Sequence, residues 1–361
     1  MKKKAIIPIF VPHIGCTESC VFCDQKQITA REKAPSEEEV RKTIDTWLST
    51  LLNSGEELEI AFYGGSFTAI PLSMQQHYLS IAKEYLDKGL VSSLHLSTRP
   101  DCISPEILDL LKDYGVKTIE LGVQSFDDKV LEKSKRGHNS DTVREACQMI
   151  KDAGFDLGIQ LMIGLPGDSY ESCIYSANET VKLMPKLARL YPCLVLQGTE
   201  LMEMYRTGDY IPLSREEALS RTKEMYRILE DAGIYIMRVG LKSTDIINSK
   251  NLGEINQGTY HPAFRELVEG ELAKEEIQSQ IDMLLTRKKD NSKVEGSIDS
   301  GSSNPHKARL VISCHPESMS LAAGHEGVNR EYFAKRYPEF TIGFQKEETL
   351  PRGRYKVTMD S

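Results

Sequence analysis

The sequence has no run that approaches the ~20 consecutive apolar residues needed to span a membrane, which excludes passage through a bilayer as a helix. Nor has it a surplus of positive charge. Its 45 Lys and Arg are outnumbered by 53 Asp and Glu, for a net charge of −8, so the surface as a whole is not a phosphate-binding footprint. Contact with nucleic acid would need a local basic groove. The densest candidates are Lys133 to His138 (KSKRGH) and Arg287 to Lys289, each of which also reads as a solvated helix end or loop. The 8 cysteines are too few for the dense disulfide framework of a small secreted domain. The basic and apolar start, MKKKAIIPIFVPHIGC, lacks the marks of a signal peptide: Pro8, Pro12 and His13 interrupt the run and no small-residue cleavage site follows. A cytoplasmic location is therefore expected. What the sequence does have is material for a core, 40% apolar residues in a chain of 361, enough for one large domain and a smaller one.

From residue 5 to about 240, short β-rich apolar runs alternate with helical patterns, the signature of successive βα units around a parallel sheet. Strands are predicted at 5–11, 58–63, 92–97, 116–122, 157–163, 192–196 and 234–239. Between the first two, Ser36 and Glu39 make a capping box for a helix whose Val40, Ile44, Trp47, Leu48 and Leu51 recur on one face. Ser104-Pro105 opens a later helix with a cap and a first-turn proline, and Val143, Ala146, Cys147 and Ile150 stripe the next. Ser214 with Glu217 starts a further one, stopped by Gly233. Units of this kind give an α/β fold, a partial (β/α)6 TIM-like barrel over residues 1–242, with chemistry at the carboxyl ends of its strands. The unusual residues fall at those ends: YGGSF after the second strand, STRPD after the third, GVQSF after the fourth and GLPG after the fifth. Past residue 242 the pattern changes. Residues 243–361 read as a small C-terminal α+β extension that closes or lines the substrate side. It contains a flexible loop at 286–307, an apolar run at 308–313, a helix within 326–337 and β-like stretches at 340–345 and 354–359.

Three cysteines, Cys16, Cys20 and Cys23, form a Cys-x3-Cys-x2-Cys pattern directly after the first strand. Thiolates on so short a loop can converge on one 4Fe-4S cluster, and a cube with three protein ligands leaves one iron free for a substrate or cofactor. S-adenosylmethionine (SAM) fills such a position through its amino and carboxylate groups. One electron from the cluster then breaks its sulfonium bond, giving a 5′-deoxyadenosyl radical that abstracts a hydrogen atom. Two alternatives fit the cysteines alone: a structural zinc completed by His13, and a redox dithiol at Cys20 and Cys23. Neither accounts for the motifs at the strand ends. The remaining cysteines, Cys102, Cys147, Cys173, Cys193 and Cys314, are scattered and read as buried small hydrophobes.

The cysteine pattern, with Phe22 before its last Cys, resembles that of the radical SAM superfamily, and Tyr63-Gly64-Gly65-Ser66-Phe67 resembles its glycine motif. The resemblance implies that Gly64, Gly65, Ser66 and Phe67 meet the methionine amino group, where glycine permits close backbone approach. It further implies that Phe22 packs near the adenine, that Gly164 lets backbone approach it, and that Ser97, Thr98, Arg99, Glu120 and Gln124 surround the ribose and methionine. A closer resemblance is to the radical SAM domain of the Elongator catalytic subunit family. It rests on Gly64 to Phe67, Thr98-Arg99-Pro100-Asp101, Leu121 to Ser125, Arg136-Gly137-His138, Leu190 to Val195 and Gly198-Thr199. GVQSF and GLPG also resemble oxygen-independent coproporphyrinogen oxidase, but Asp24 and Gln25 stand where that family has a fourth cysteine.

Elongator relatives have a wider gap between their first two cluster cysteines, a Cys-rich linker and a C-terminal acetyltransferase domain, none of which this sequence shows. No acetyl-CoA-dependent chemistry is therefore expected of this polypeptide alone. tRNA modification is placed ahead of small-molecule radical chemistry, and tRNA contact would fall on Lys133, Lys135 and Arg136. Implied partners are an electron donor such as ferredoxin or flavodoxin, and no membrane. A reading from another class is a non-catalytic zinc or iron-sulfur protein.

Overall fold

The alternating runs become seven strands: β1 (Lys4–Val11), β2 (Glu57–Gly64), β3 (Ser93–Thr98), β4 (Val116–Gln124), β5 (Asp156–Ile163), β6 (Leu187–Pro192) and β7 (Tyr235–Val239). They pair in parallel in chain order, β1 to β7, the topology of an incomplete (β/α) barrel. The computed structural model describes residues 4–11, 20–23, 33–51, 55–241, 254–256, 258–294 and 308–360. Among the described residues β1 pairs only with β2 and β7 only with β6, and Pro8 lies in β1 opposite Ala61. The chain divides into two compact units, Met1–Pro262 and Ala263–Ser361.

The helices of the first unit are α1 (Glu37–Leu51), α2 (Leu72–Asp87), α3 (Pro105–Asp113), α4 (Asp128–Lys133), α5 (Ser140–Asp152), α6 (Tyr170–Leu183), α7 (Glu200–Thr207) and α8 (Arg215–Asp231). Local chemistry sets their starts. Ser36 and Glu39 exchange side-chain-to-backbone bonds of 2.8 and 3.3 Å ahead of α1, and Ser214 with Glu217 does the same for α8. Asp127 caps α4 and Asn139 caps α5, each accepting from N–H groups of the first turn. The buried face of α1 is Val40, Ile44 and Leu48, narrower than its sequence pattern suggests: Trp47 keeps 36% of its surface exposed and Leu51 is half-buried. No described helix is long and apolar enough to cross a membrane.

The sixth strand lies earlier than its apolar content predicts, at Leu187–Pro192 rather than 192–196. Arg189 and Tyr191 disguise it, because they interrupt an apolar run while alternating with buried Ala188 and Leu190. The more apolar Cys193 to Leu196 is also buried but forms no strand. There the Asn256 side chain takes a strand partner's place: it accepts from Val195 N at 2.8 Å and donates to Val195 O at 2.9 Å. One amide thus satisfies both buried main-chain groups.

The second unit holds α9 (Phe264–Val294), β8 (Arg309–Cys314), α10 (Met319–Ala323), α11 (Val328–Arg336), β9 (Thr341–Lys346) and β10 (Tyr355–Asp360). Its three-stranded sheet runs β10-β8-β9, with β10 antiparallel and β9 parallel to β8. Ile277 and Ile281 of α9 pack with Leu310, Ile312 and Phe333 in one apolar core. The loop expected from 286 is helix as far as Val294, and residues 295–307 lie outside the described residues. Polar composition misleads here. Between Gly270 and Gly296 no glycine or proline interrupts the chain, and Lys and Arg are good helix formers.

Candidate functional site

The glycine motif sits where β2 ends. Gly64 has φ +117°, and a Cβ there would lie 2.4 Å from Val11 O, so no other residue fits without moving backbone. The next N–H, of Gly65, donates to that same oxygen at 3.0 Å. Ser66 and Thr98 are brought together, but their hydroxyls bond to each other at 2.7 Å. Thr98 Oγ1 also lies 2.6 Å from Thr68 Oγ1, and Ser66 Oγ accepts from Arg99 N at 3.1 Å. These hydroxyls knit the loops after β2 and β3. Phe67 is buried against Phe62, ring centroids 4.8 Å apart, and Ser97 Oγ reaches Phe62 O at 3.5 Å.

Gln124 ends β4 with φ +71°, an uncommon conformation for a side chain of that size, at a register shift between Gly122 and Gln124. Its Oε1 accepts from Gln160 Nε2 at 3.3 Å. Gly164, after β5, has φ +83°. Its N–H donates to Asp168 Oδ2 at 2.7 Å, and its carbonyl accepts from Tyr210 OH at 2.6 Å.

On the face shared by β2, β3, β4 and β6 the structure gathers charge around Glu120, a predicted site residue, with Arg189, His95 and Glu59, which sequence reasoning passed over. Glu120, 1% exposed, faces Arg189 across 2.9 Å and His95 across 3.8 Å, and His95 faces Glu59 at 3.9 Å. The Arg189 guanidinium lies 4.4 Å from the Tyr63 ring centroid and donates to the hydroxyls of Tyr63 and Tyr191. Burial opposes the charge of Arg189, yet Glu120, Tyr191 and Tyr63 together hold its pKa above the ordinary value. Burial raises the Tyr63 phenol, which stays neutral. Despite the close guanidinium, neither oxygen of Glu120 has an aligned hydrogen bond, and both are buried. The available signal was alternation: a lone Arg in phase with Tyr191 within a β run points both to one face.

The cysteine turn is described from Cys20 to Cys23, closed by Cys23 N donating to Cys20 O at 3.0 Å. Val21 anchors it on both sides, donating to Ser134 O at 3.3 Å and accepting from Leu201 N at 2.8 Å. Phe22, 9% exposed, packs with Val130, Leu165, Val195 and Leu201. Cys16 and His13 lie outside the described residues, and among those described no group of three potential ligands forms a metal site. Arg136 Nη1 donates to Cys20 Sγ at 3.1 Å, and Arg99 Nη1 approaches the same sulfur at 3.8 Å. Arg136 is therefore not part of an exposed phosphate groove. It is 5% exposed, and neighbouring Lys135 pairs with Glu200 at 2.6 Å. Of the other cysteines, Cys147, Cys173, Cys193 and Cys314 are buried, with Cys147 and Cys193 pushed up to about 12 by burial, whereas Cys102 is only half-buried.

The donor set suits a thiolate-held, electron-accepting cluster: soft sulfur ligands with guanidinium donors turned toward one of them. The Glu120 carboxylate, paired with Arg189 but without an aligned hydrogen bond, suits a polar ligand beside it. Residues 10–178 match the family model of the radical SAM superfamily, and residues 185–274 match that of the radical SAM C-terminal domain. The tRNA uridine(34) acetyltransferase of Methanocaldococcus infernus is 32% identical over 185 residues, covering 45% of this chain and 34% of that protein. The heme chaperone HemW of Bacillus subtilis is 28% identical over 222 residues, covering 59% of this chain and 56% of its own. Among solved structures, an N-terminally truncated Elp3 from Methanocaldococcus infernus aligns over 76% of this chain and 64% of its own, with TM-score 0.60 and 22% identity. The chain thus spans about a third of the length of the acetyltransferase it resembles.

Proposed function

Since the chain belongs to the radical SAM superfamily of enzymes, we propose that Cys20 and Cys23, together with Cys16, hold a 4Fe-4S cluster and that the adjoining strand ends bind SAM. Such a cluster, when bound, supplies the electron that cleaves SAM reductively. The carrying observation is the bridge made by Arg136, which donates to Gly122 O on β4 and to Cys20 Sγ, tying the cysteine turn to the strand that carries Glu120. Glu120 offers two acceptor oxygens to ribose hydroxyls or an ammonium group, and Arg189 offers donors to a carboxylate. Gly64 lets the loop close on Val11, where the Gly65 N–H also bonds, and so sets the backbone that would face the ligand's amino group. Phe22 offers an apolar surface to the adenine, and Gln124 and Ser97 border the ribose. Thr98, Ser66 and Phe67 act through the loop they stiffen, and Gly164 through the turn it permits.

The proposed substrate class is tRNA, on the strength of the acetyltransferase relatives, with a ferredoxin- or flavodoxin-type protein as one-electron donor. Buried Arg136 is withheld from RNA, whereas exposed Lys133 and Lys135 remain the candidate contacts in that segment. Anaerobic reconstitution tests the core of the reading. Four irons, four sulfides and 5′-deoxyadenosine formed from SAM support it; one bound zinc and no SAM affinity would overturn it. A comparison of tRNA nucleosides between a deletion strain and its parent tests the substrate class, and an unchanged nucleoside profile removes it.

A further inference from the structure

Buried cations need anions, and the two arginines beside Cys20 differ in how they meet that need. Arg99 is matched by Asp101 in a two-pronged pair, Nε to Oδ1 at 2.9 Å and Nη2 to Oδ2 at 2.8 Å. Arg136 is as deeply buried but faces no carboxylate among the described residues. Its Nη2 donates to Gly122 O, its own carbonyl accepts from Arg99 Nη2, its Nε has no hydrogen-bond partner, and its Nη1 points at Cys20 Sγ across 3.1 Å. A guanidinium buried without an anion is strongly destabilising. The group placed to supply one is the Cys20 sulfur, once it is a thiolate.

We propose that Arg136 is the counter-cation of the Cys20 thiolate and raises the reduction potential of the cluster that Cys20 helps to hold. The inference rests on the cluster reading above and concerns a residue that acts through its ligand. Reduction adds one negative charge to the cluster, and a fixed cation hydrogen-bonded to a ligating sulfur stabilises the more negative state. Arg136 is held for this by three main-chain bonds. Its N–H donates to Leu131 O at 3.0 Å at the end of α4, its carbonyl accepts from Arg99, and its side chain donates to Gly122 O. Arg99 contributes less because Asp101 cancels much of its charge and its donor is farther from the sulfur.

The test is an anaerobic redox titration of the reconstituted full-length protein, with reduced cluster followed by electron paramagnetic resonance. Arg136→Gln keeps an N–H donor and loses the charge. It should lower the reduced-to-oxidised ratio at a fixed potential at least tenfold, which is 59 mV for a one-electron couple. Arg136→Lys should recover most of that ratio. Asp101→Asn leaves Arg136 in place but frees the charge of Arg99, so it should shift the potential upward. Arg136→Gln with full iron content and the parent's potential would overturn the proposal, as would a downward or absent shift in Asp101→Asn. A parent protein that binds no cluster would instead overturn the reading beneath it.

Discussion

Among its described side chains, the unit of residues 263–361 buries Ser313, Ser318 and Asn329 as polar groups and no charged residue. The barrel unit buries Glu59, Arg99, Glu120, Arg136, Glu179 and Arg189, together with His95. Both units are built by the same means, helices on strands with apolar interiors, so a core without charge is within reach of this chain. In the smaller unit the Asn329 amide nitrogen uses both its donors, to Gly270 O at 2.8 Å and to Leu321 O at 3.2 Å. In the barrel, Glu120 and Arg136 keep hydrogen-bonding capacity in hand. Desolvating charge is expensive, and apart from Glu179 on α6, which pairs with Arg144 and Lys182, the barrel does it near the carboxyl ends of its strands and along the face beneath them. The contrast falls where the proposed SAM site would need polar groups at a cost in stability.

The strongest way to sharpen that contrast is at the cysteine turn. Cys20→Ala or Cys23→Ala should yield a folded barrel with no iron-sulfur cluster and no 5′-deoxyadenosine, measured by iron and sulfide assay and by chromatography of SAM products. Cys314→Ala in the other unit should leave both intact. Next in size is the interior pair. Arg189→Met strands the Glu120 carboxylate and should cost about 3–5 kcal/mol in urea denaturation, with much of that recovered when Glu120→Gln is added. Equal losses in the single and double variants would show that Arg189 matters for packing rather than charge.

A smaller effect is expected with acid. Burial, then the charges of Arg136 and Arg99, lower His138 from 6.5 to about 4, while Asp101 pulls the other way. The unfolded chain therefore takes up a proton near pH 6.5 that the folded chain refuses until about pH 4. The associated stability is present above pH 6.5 and is lost as pH falls toward 4. It amounts to at most about 3 kcal/mol, and His138→Gln should flatten the stability curve across that window. Melting temperatures of both proteins from pH 7 to pH 4 would read it, and parallel curves would refute it. Smallest of all, Ile312→Val in the apolar core of the second unit should cost about 1 kcal/mol and leave SAM cleavage untouched.

Periodicity sufficed for most of the barrel because its strands are apolar and most of its helices, the Leu72–Asp87 helix excepted, begin with side-chain caps, both of which are local signals. It failed at Leu187–Pro192, where interior charge on a strand looks like a loop and an unpaired apolar segment looks like a strand. It failed again at 286–294, the last part of the Phe264–Val294 helix, whose polar composition resembles a linker until helix formers are counted. At the candidate site, spacing revealed the cysteines, and strand-end position revealed the glycines. The positions of Arg136, Arg189 and His95 beside their partners were illegible for one reason. Each meets residues distant in sequence, as Arg136 meets Cys20, and only the closed fold puts them side by side.

The proline in β1 has a consequence for how the protein behaves in company. A parallel sheet whose first and last strands do not pair leaves rows of main-chain groups on which a strand of another molecule can grow. Pro8 has no N–H to offer such a strand, and proline is tolerated in a sheet mainly at rims of this kind. Among the described residues the β1 edge thus lacks one donor that an added strand would use, which disfavours edge-to-edge pairing there.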